Sequence, residues 1–252
     1  MVVVKNSEQL ALMRTACRIT GETLAYAHEL VREGVSTKHL DEKIRAFIEK
    51  QGAVPSFLGY GGFPASACIS INDEVIHGIP SAKRILREGD IVKIDVGACY
   101  RGYNGDSART FPVGRVSAEA ARLMEVAKAS FGEAFERCVP GGRVGDIGSA
   151  VEACVKSAGF SVVRQYVGHG VGAELHEDPE VPNFGTAGRG VRLYPGMTIA
   201  IEPMVNAGGH TVKVLDNDWT VVTTDGRLSA HYENTVAITA NGAENLTDVG
   251  DG

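Results

Sequence analysis

The feature that most constrains this chain is that it nearly repeats itself. One shift, the one that lays Gly34 on Gly141, also lays Leu40 on Ile147, Ile44 on Val151, Ile48 on Val155 and Gly52 on Gly159. The same shift carries Leu86 to Leu193, Gly89 to Gly196, Ile94 to Ile201 and Asp95 to Glu202. LREGDIVKIDV and LYPGMTIAIEP thereby become two copies of one turn-and-strand unit. A single match carries no weight, but one constant shift across helix faces, terminating glycines and a strand acid indicates duplication. The expected organisation is a single domain, 1–252, built from two similar α/β halves at about 1–114 and 115–252.

Each half opens with a pair of amphipathic helices. The first starts at the Asn6/Ser7 cap and repeats apolar residues at Leu10, Met13, Cys17, Leu24, Ala27 and Val31. The second follows the Ser36 cap, carries Leu40, Ile44, Phe47 and Ile48, and stops at Gly52. The third runs from Ser117 through Leu123, Ala127, Phe131 and Ala134, and the fourth from Asp146 through Ile147, Val151, Cys154 and Val155 to Gly159. Short alternating apolar runs in glycine-rich sequence follow each pair and read as strands. The halves are expected to join their strands into one continuous curved sheet backed by four helices.

Several function classes are excluded at this level. The formal net charge is −6 with no local cluster of Lys and Arg, so no nucleic-acid footprint is visible. No apolar run has the length of a membrane span, and MVVVKNSEQLALMRTACR has no signal-peptide order. Cys17, Cys68, Cys99, Cys138 and Cys154 are odd in number and scattered, which argues against disulfides or structural zinc and for a reducing cytoplasm.

The chemistry concentrates in strands that carry acids where a buried sheet prefers Val or Ile. KIDVGACYRGYNGDSARTF reads as a β-hairpin turning at Tyr100-Arg101, with Asp95 and Asp106 directly opposed on one face. Val92, Ile94, Val96 and Ala98 take the other face, towards the helices. Two like charges opposed across a hairpin are unfavourable, more so when desolvated. A bulge that changes the register, a protonated acid or a divalent cation between them would relieve the cost, and the cation is the simplest.

The second half repeats the pattern with Glu202 in MTIAIEPM and Glu233 in SAHYENTVAI. A lone strand acid is ordinarily a solvent-facing edge position. Four acids related by internal symmetry converge on one centre, and four carboxylates balance two divalent cations. His169, among the glycines of VGHGVGAELHEDP, is the nitrogen donor nearest in pattern, where glycines let the backbone approach a ligand. His176 and His77 are further candidates; His231 alternates onto the face of Glu233 and is expected to support the ligands rather than join them. His28, His39 and His210 receive no role.

Together these residues resemble type I methionine aminopeptidases, of the pita-bread metallopeptidase family. The resemblance is carried in order by CISINDEVIHGIP, KIDVGACYRGYNGDSARTF, YVGHGVGAELHEDP, GMTIAIEPM and HYENTVAI, and spans nearly the whole chain. It implies a pita-bread α/β fold with pseudo-twofold-related halves and a curved, mainly antiparallel sheet. It also implies metal-dependent removal of N-terminal methionine from nascent proteins and peptides. Asp95, Asp106, His169, Glu202 and Glu233 then hold two divalent ions, of Co, Mn, Fe or Zn, with Asp106 and Glu233 bridging. Glu202 also shuttles the proton, His176 donates to the carbonyl oxygen, and His77 contacts the substrate near the scissile amide.

Phe57, Tyr60, Cys68 and Trp219 form the side-chain pocket by the same resemblance, with His77 and His176 at its edge. Three positions depart from the family pattern: Phe57 stands where cysteine is common, Leu175 where an aromatic often precedes the second histidine, and Gly61 where histidine is frequent. The expected setting is the cytoplasm and the expected form a monomer of the compact bacterial type. Its partner is the N-terminal methionine of nascent polypeptides, met at the ribosome, with no membrane and no nucleic-acid site. The alternatives are an X-Pro aminopeptidase or dipeptidase of the same fold and a pita-bread binding protein without catalysis.

Overall fold

In a computed structural model, which describes residues 1–249, the two halves are built alike; positions 250–252 at the end of the second half lie outside the described residues. The first half runs α1 (Ser7–Leu30), α2 (Thr37–Lys50), β1 (Val54–Pro55), β2 (Ala67–Ile71), β3 (Glu74–Ile76), β4 (Ile91–Tyr100) and β5 (Tyr103–Pro112). The second opens with α3 (Ala118–Phe135), α4 (Val144–Ser157), β6 (Ser161–Val162), β7 (Gly168–Gly170), β8 (Glu177–Val181) and β9 (Thr198–Ile201). It continues with β10 (Met204–Asn206), β11 (Val212–Val214), β12 (Val221–Thr223), β13 (Ser229–His231), β14 (Asn234–Thr239) and β15 (Gly242–Asn245).

Local chemistry sets the helix ends. Asn6 accepts from the Gln9 amide and the Gln9 side chain answers at the Asn6 amide, a reciprocal cap that satisfies two otherwise orphaned donors. Ser36 and Ser117 cap α2 and α3 in the simpler way, each accepting from an amide three residues on. The fourth helix begins at Val144 rather than at Asp146, because the Asp146 carboxylate reaches back to the Arg143 amide and caps from inside the first turn.

The equated glycines share backbone conformations. Gly34 and Gly141 have φ of 85° and 88°, Gly52 and Gly159 76° and 79°, and Gly89 and Gly196 91° and 93°. All six lie in the left-handed region, which side chains with a Cβ disfavour by about 1–2 kcal/mol. Gly34 and Gly141 make matching amide bonds to Leu86 and Leu193, and the lone bridges Ser36↔Ile85 and Arg143↔Arg192 occupy matching places.

Among the described residues the strand pairings are antiparallel and gathered into four ladders: β1-β4-β2 with β5 on β4, β13-β10-β6, β11-β12-β3 and β15-β14-β9-β7-β8. The expected sheet is therefore laddered in four pieces rather than as one unbroken ribbon. The centre is sewn by reciprocal main-chain bonds, Glu233 N–H to Ala108 O at 2.9 Å and Ala108 N–H to Glu233 O at 3.4 Å. Behind it, Val92, Ile94, Val96 and Ala98 pack with Ile19, Leu24, Leu40, Ile44 and Ile48 from α1 and α2. Ile199, Ile201 and Val236 pack equivalently with Leu123, Ala127, Ile147 and Val151 from α3 and α4. Each such aliphatic side chain contributes about 1.5–3 kcal/mol over an exposed one.

The hairpin turns one residue later than expected. Tyr100 pairs with Tyr103 around Arg101 and Gly102, with φ of 50° and 81°, which matches a two-residue turn with both centres left-handed. Asp106 consequently faces Gly97 and Asp95 faces Ala108, so the two acids are diagonal neighbours rather than directly opposed. They remain on one face, because moving the turn centre by one residue moves the pairing by two.

One glycine locks the hairpin to its helix: a Cβ at Gly105 would lie 2.7 Å from both Cα and N of Cys17 in α1. Gly105→Ala is therefore expected to cost about 1–3 kcal/mol by overpacking, measured as a lower urea midpoint at unchanged slope; an unchanged midpoint would show that α1 does not clamp the hairpin.

Candidate active site

The acids converge from both halves. Asp95 comes from β4 and Asp106 from β5; Glu202 follows β9 and Glu233 precedes β14, whose register pairs Asn234 with Ile201. The adjoining Glu202 and Glu233 thus leave the same end of one ladder. Asp106 is 3% exposed, Glu202 9% and Glu233 2%, while Asp95 keeps partial access to solvent through the pocket.

Main-chain and hydroxyl contacts position these carboxylates. Thr235 Oγ1 donates to Asp106 O and accepts from its amide, while Ser107 Oγ donates to Glu233 O at 2.6 Å. Arg109 donates to Glu233 O and to Asn234 Oδ1, and stacks 4.1 Å over the Tyr232 ring. Asn183 Nδ2 donates to Glu202 O at 2.9 Å. None of Ser107, Arg109, Asn183, Asn234 and Thr235 emerged from the sequence, because each works through a main-chain neighbour. The one available signal was Arg109, a guanidinium three residues beyond Asp106 in the same strand.

His169 sits on β7 between two glycines, and their reason differs from the one expected. A Cβ at Gly168 would lie 2.3 Å from Ala200 O, and one at Gly170 2.2 Å from Asp178 O. The glycines admit the neighbouring strands rather than a ligand. The His169 Nδ1 hydrogen bond to Gly170 O, at 2.8 Å, assigns the proton to Nδ1 and leaves the Nε2 lone pair facing the acids. Nε2 lies 3.7 Å from Asp106 Oδ2 and 3.5 Å from Glu202 Oε1, too far for hydrogen bonds.

The electrostatics of this cluster are unfavourable without a counter-ion. Burial raises the Asp95 carboxyl to about 8. Burial, and then the neighbouring acids, raise Asp106, Glu202 and Glu233 well above the usual carboxylate range. Burial lowers His169 to about 3 and His77 to about 4, with His176 adding to both, so these imidazoles are neutral. His231 falls to about 3, chiefly by burial, with His77, Lys93 and Arg109 adding to it.

Among the described residues Asp95 Oδ1 and Asp106 Oδ1 have no hydrogen-bond partner. Two groups among the described residues, Asp106/His169/Glu233 and Asp95/His231/Glu233, bring one ligand atom from each member within 4.8 Å of the others. Orphaned carboxylate oxygens beside neutral imidazole lone pairs fit divalent transition ions.

The cluster floors a narrow cavity of about 80 Å³ that brings together every site residue expected from the sequence. Phe57, Cys68 and Leu175 line it from buried positions, while Tyr60 is exposed and Trp219 half-buried. Phe63 was missed; it lies in SFLGYGGFP behind Phe57 and Tyr60, and meets Trp219 edge-on at 5.1 Å. Gly61 has φ of 56° and faces Trp219, whose ring would be 3.5 Å from an added Cβ. At the mouth, His176 Nδ1 shares a 2.8 Å hydrogen bond with Tyr60 Oη, and its ring centre lies 4.1 Å from that of His169. His77 holds a left-handed φ of 58°, with Tyr166 and Trp219 meeting its ring edge-on. A non-glycine residue in that region stores local strain of about 1–3 kcal/mol.

Comparisons with known proteins agree with this geometry. A methionine aminopeptidase of Clostridium acetobutylicum is 56% identical over 247 residues, covering 98% of this chain and 99% of the relative. The crystal structure of methionine aminopeptidase from Thermotoga maritima superposes with a TM-score of 0.97 at 42% identity, covering 98% of this chain and 99% of that one. The prolidase of Pyrococcus furiosus is more distant, with a TM-score of 0.80 at 27% identity; the match covers 99% of this chain but 66% of the prolidase. Residues 11–240 match the model of metallopeptidase family M24, and the chain belongs to that family.

Proposed function

We propose that this chain is a metal-dependent methionyl aminopeptidase that removes N-terminal methionine from nascent proteins and peptides by hydrolysing the first peptide bond. The observation that carries this reading is four carboxylates and an imidazole at the floor of a slim apolar slot, with two histidines along its wall. Asp95, Asp106, His169, Glu202 and Glu233 would hold two divalent ions of Co, Mn, Fe or Zn, with Asp106 and Glu233 shared between them. When bound, such ions lower the pKa of water and polarise the scissile carbonyl.

The chain's own groups do the rest. Phe57, Tyr60, Phe63, Cys68 and Trp219 receive an unbranched, polarizable side chain and set its depth. Leu175 beside Phe57 keeps the slot apolar where the family often carries an aromatic. Glu202 moves a proton from the attacking water to the departing amine. His176, oriented by Tyr60, donates to the carbonyl oxygen as negative charge develops there. His77 contacts the substrate beside the scissile amide.

Both halves supply these groups, so the catalytic unit is the whole chain, 1–252, read as one domain of two repeats. The site is complete within one chain, which supports a monomer. All five cysteines are free thiols, which supports a cytoplasmic setting where nascent chains are met at the ribosome. Among the described residues no helix is long and apolar enough to cross a membrane.

The deciding assay offers Met-Ala-Ser and an X-Pro peptide to metal-free protein supplemented with Mn²⁺ or Co²⁺. Release of methionine is expected. Preferential X-Pro cleavage would favour a prolidase-like reading, and no cleavage under either ion would favour a non-catalytic binding protein. Within the same assay, His176→Ala should lower kcat by about 10²- to 10³-fold at normal metal content; loss of metal instead would contradict its role at the carbonyl oxygen.

Thermal melts check the metal assignment separately. Mn²⁺ at 100 times its Kd should stabilise the protein by about 2.7 kcal/mol, or about 5–10 °C in Tm for a chain of this size. Asp106→Asn keeps the shape, removes a buried acid that the metal-free fold must hold protonated, and should raise Tm of the metal-free protein while abolishing that shift. A lower metal-free Tm would mean that the Asp106 carboxyl is stabilising in itself.

A further inference from the structure

We propose that His231 is a sixth donor to the cation cluster, giving the Asp95 side of the pocket the nitrogen ligand that His169 gives the other side. The inference rests on the two-cation reading above and goes beyond the five ligands that the family resemblance implies.

Among the described residues neither ring nitrogen of His231 has a hydrogen-bond partner, although the residue is 1% exposed. Leaving a buried polar group unsatisfied costs about 1–3 kcal/mol, so this ring calls for a partner that the described residues do not supply. Its Nε2 lies 3.8 Å from Glu233 Oε2 and 3.9 Å from Glu202 Oε2. These separations are too long for hydrogen bonds. They are close to the 3.5 and 3.7 Å that separate His169 Nε2 from Glu202 and Asp106.

The two candidate ligand groups therefore share a design. Asp106/His169/Glu233 and Asp95/His231/Glu233 each contain two carboxylates and one imidazole, and Glu233 belongs to both. The aim of the His231 ring is built into the fold. Thr110 on β5 accepts from the His231 amide at 2.9 Å and donates to its carbonyl at 2.8 Å, while Met204 pairs with it across β10. The strand that carries Asp106 thus also positions the peptide of His231. A second imidazole would bias the Asp95 side towards Fe²⁺, Co²⁺ or Zn²⁺ over Mg²⁺.

The test is a Co²⁺ titration of the metal-free protein followed by proton NMR, in which an imidazole bound to Co²⁺ shows a hyperfine-shifted, solvent-exchangeable N–H. Wild-type protein at two equivalents should show two such signals, one from His169 and one from His231. His231→Ala and His231→Gln should each lose one signal and weaken one of the two Co²⁺ sites by at least about tenfold, leaving the other unchanged. Two bound Co²⁺ with a single shifted N–H in the wild type, or two sites of undiminished affinity in the variants, would overturn the proposal. Uptake of only one Co²⁺ by the wild type would remove the two-cation reading and the proposal with it, a result distinct from failure at His231 alone. The wild-type spectrum decides the matter even if the buried substitutions unfold the protein.

Discussion

Mutual repulsion among four enclosed carboxylates is the constraint on which the rest of the structure depends. Two unit charges about 4 Å apart repel by about 4 kcal/mol at an effective dielectric of 20. Folded domains have only about 5–15 kcal/mol of net stability, so several such pairs cannot persist ionised and uncompensated. Without cations the acids retain protons, which is the direction in which Asp95, Asp106, Glu202 and Glu233 are all shifted. With divalent cations the same repulsion becomes affinity. The site is thus locally costly to the fold and functional because of that cost.

Holding repelling groups together requires a stiff frame, and the duplicated architecture provides one. Each half presents a strand whose apolar face is seated on two helices, so its opposite face cannot turn away from the centre. The seam between halves is tied at the site itself, through Ala108 and Glu233, Thr235 and Asp106, and Arg109 and Asn234. Buried Lys93 extends it: its ammonium donates to Asn72 O and Ser229 O, joining the hairpin to the strand that ends at His231. The mouth is treated differently. His176 is exposed and Tyr60 is 42% exposed, which suits groups that must meet an incoming chain.

Much of this was legible in the sequence because repetition marks it twice. Helix caps, terminating glycines and apolar faces recur at one shift, and the strand acids stand out against their apolar neighbours. The misplaced hairpin centre shows the limit of that reading. Tyr-Arg and Arg-Gly are adjacent candidates, and the two-residue turn is settled by Gly102, which tolerates the second left-handed position without penalty. The glycines around His169 illustrate another limit: only the path of β8 and β9 reveals what a side chain there would strike. Phe63 was hidden among aromatics of one short loop, and the missing hydrogen-bond partners of the His231 ring among the described residues show only once the strands are placed.

The central claim is that both pairs of acids exist to hold cations. Anomalous diffraction from a crystal grown with Mn²⁺, recorded at the manganese absorption edge, addresses it most directly. The account predicts two peaks, one flanked by His169 and Glu202, the other by Asp95, with Asp106 and Glu233 touching both. A crystal with Mn²⁺ in the solvent and no peak among the four carboxylates would contradict it.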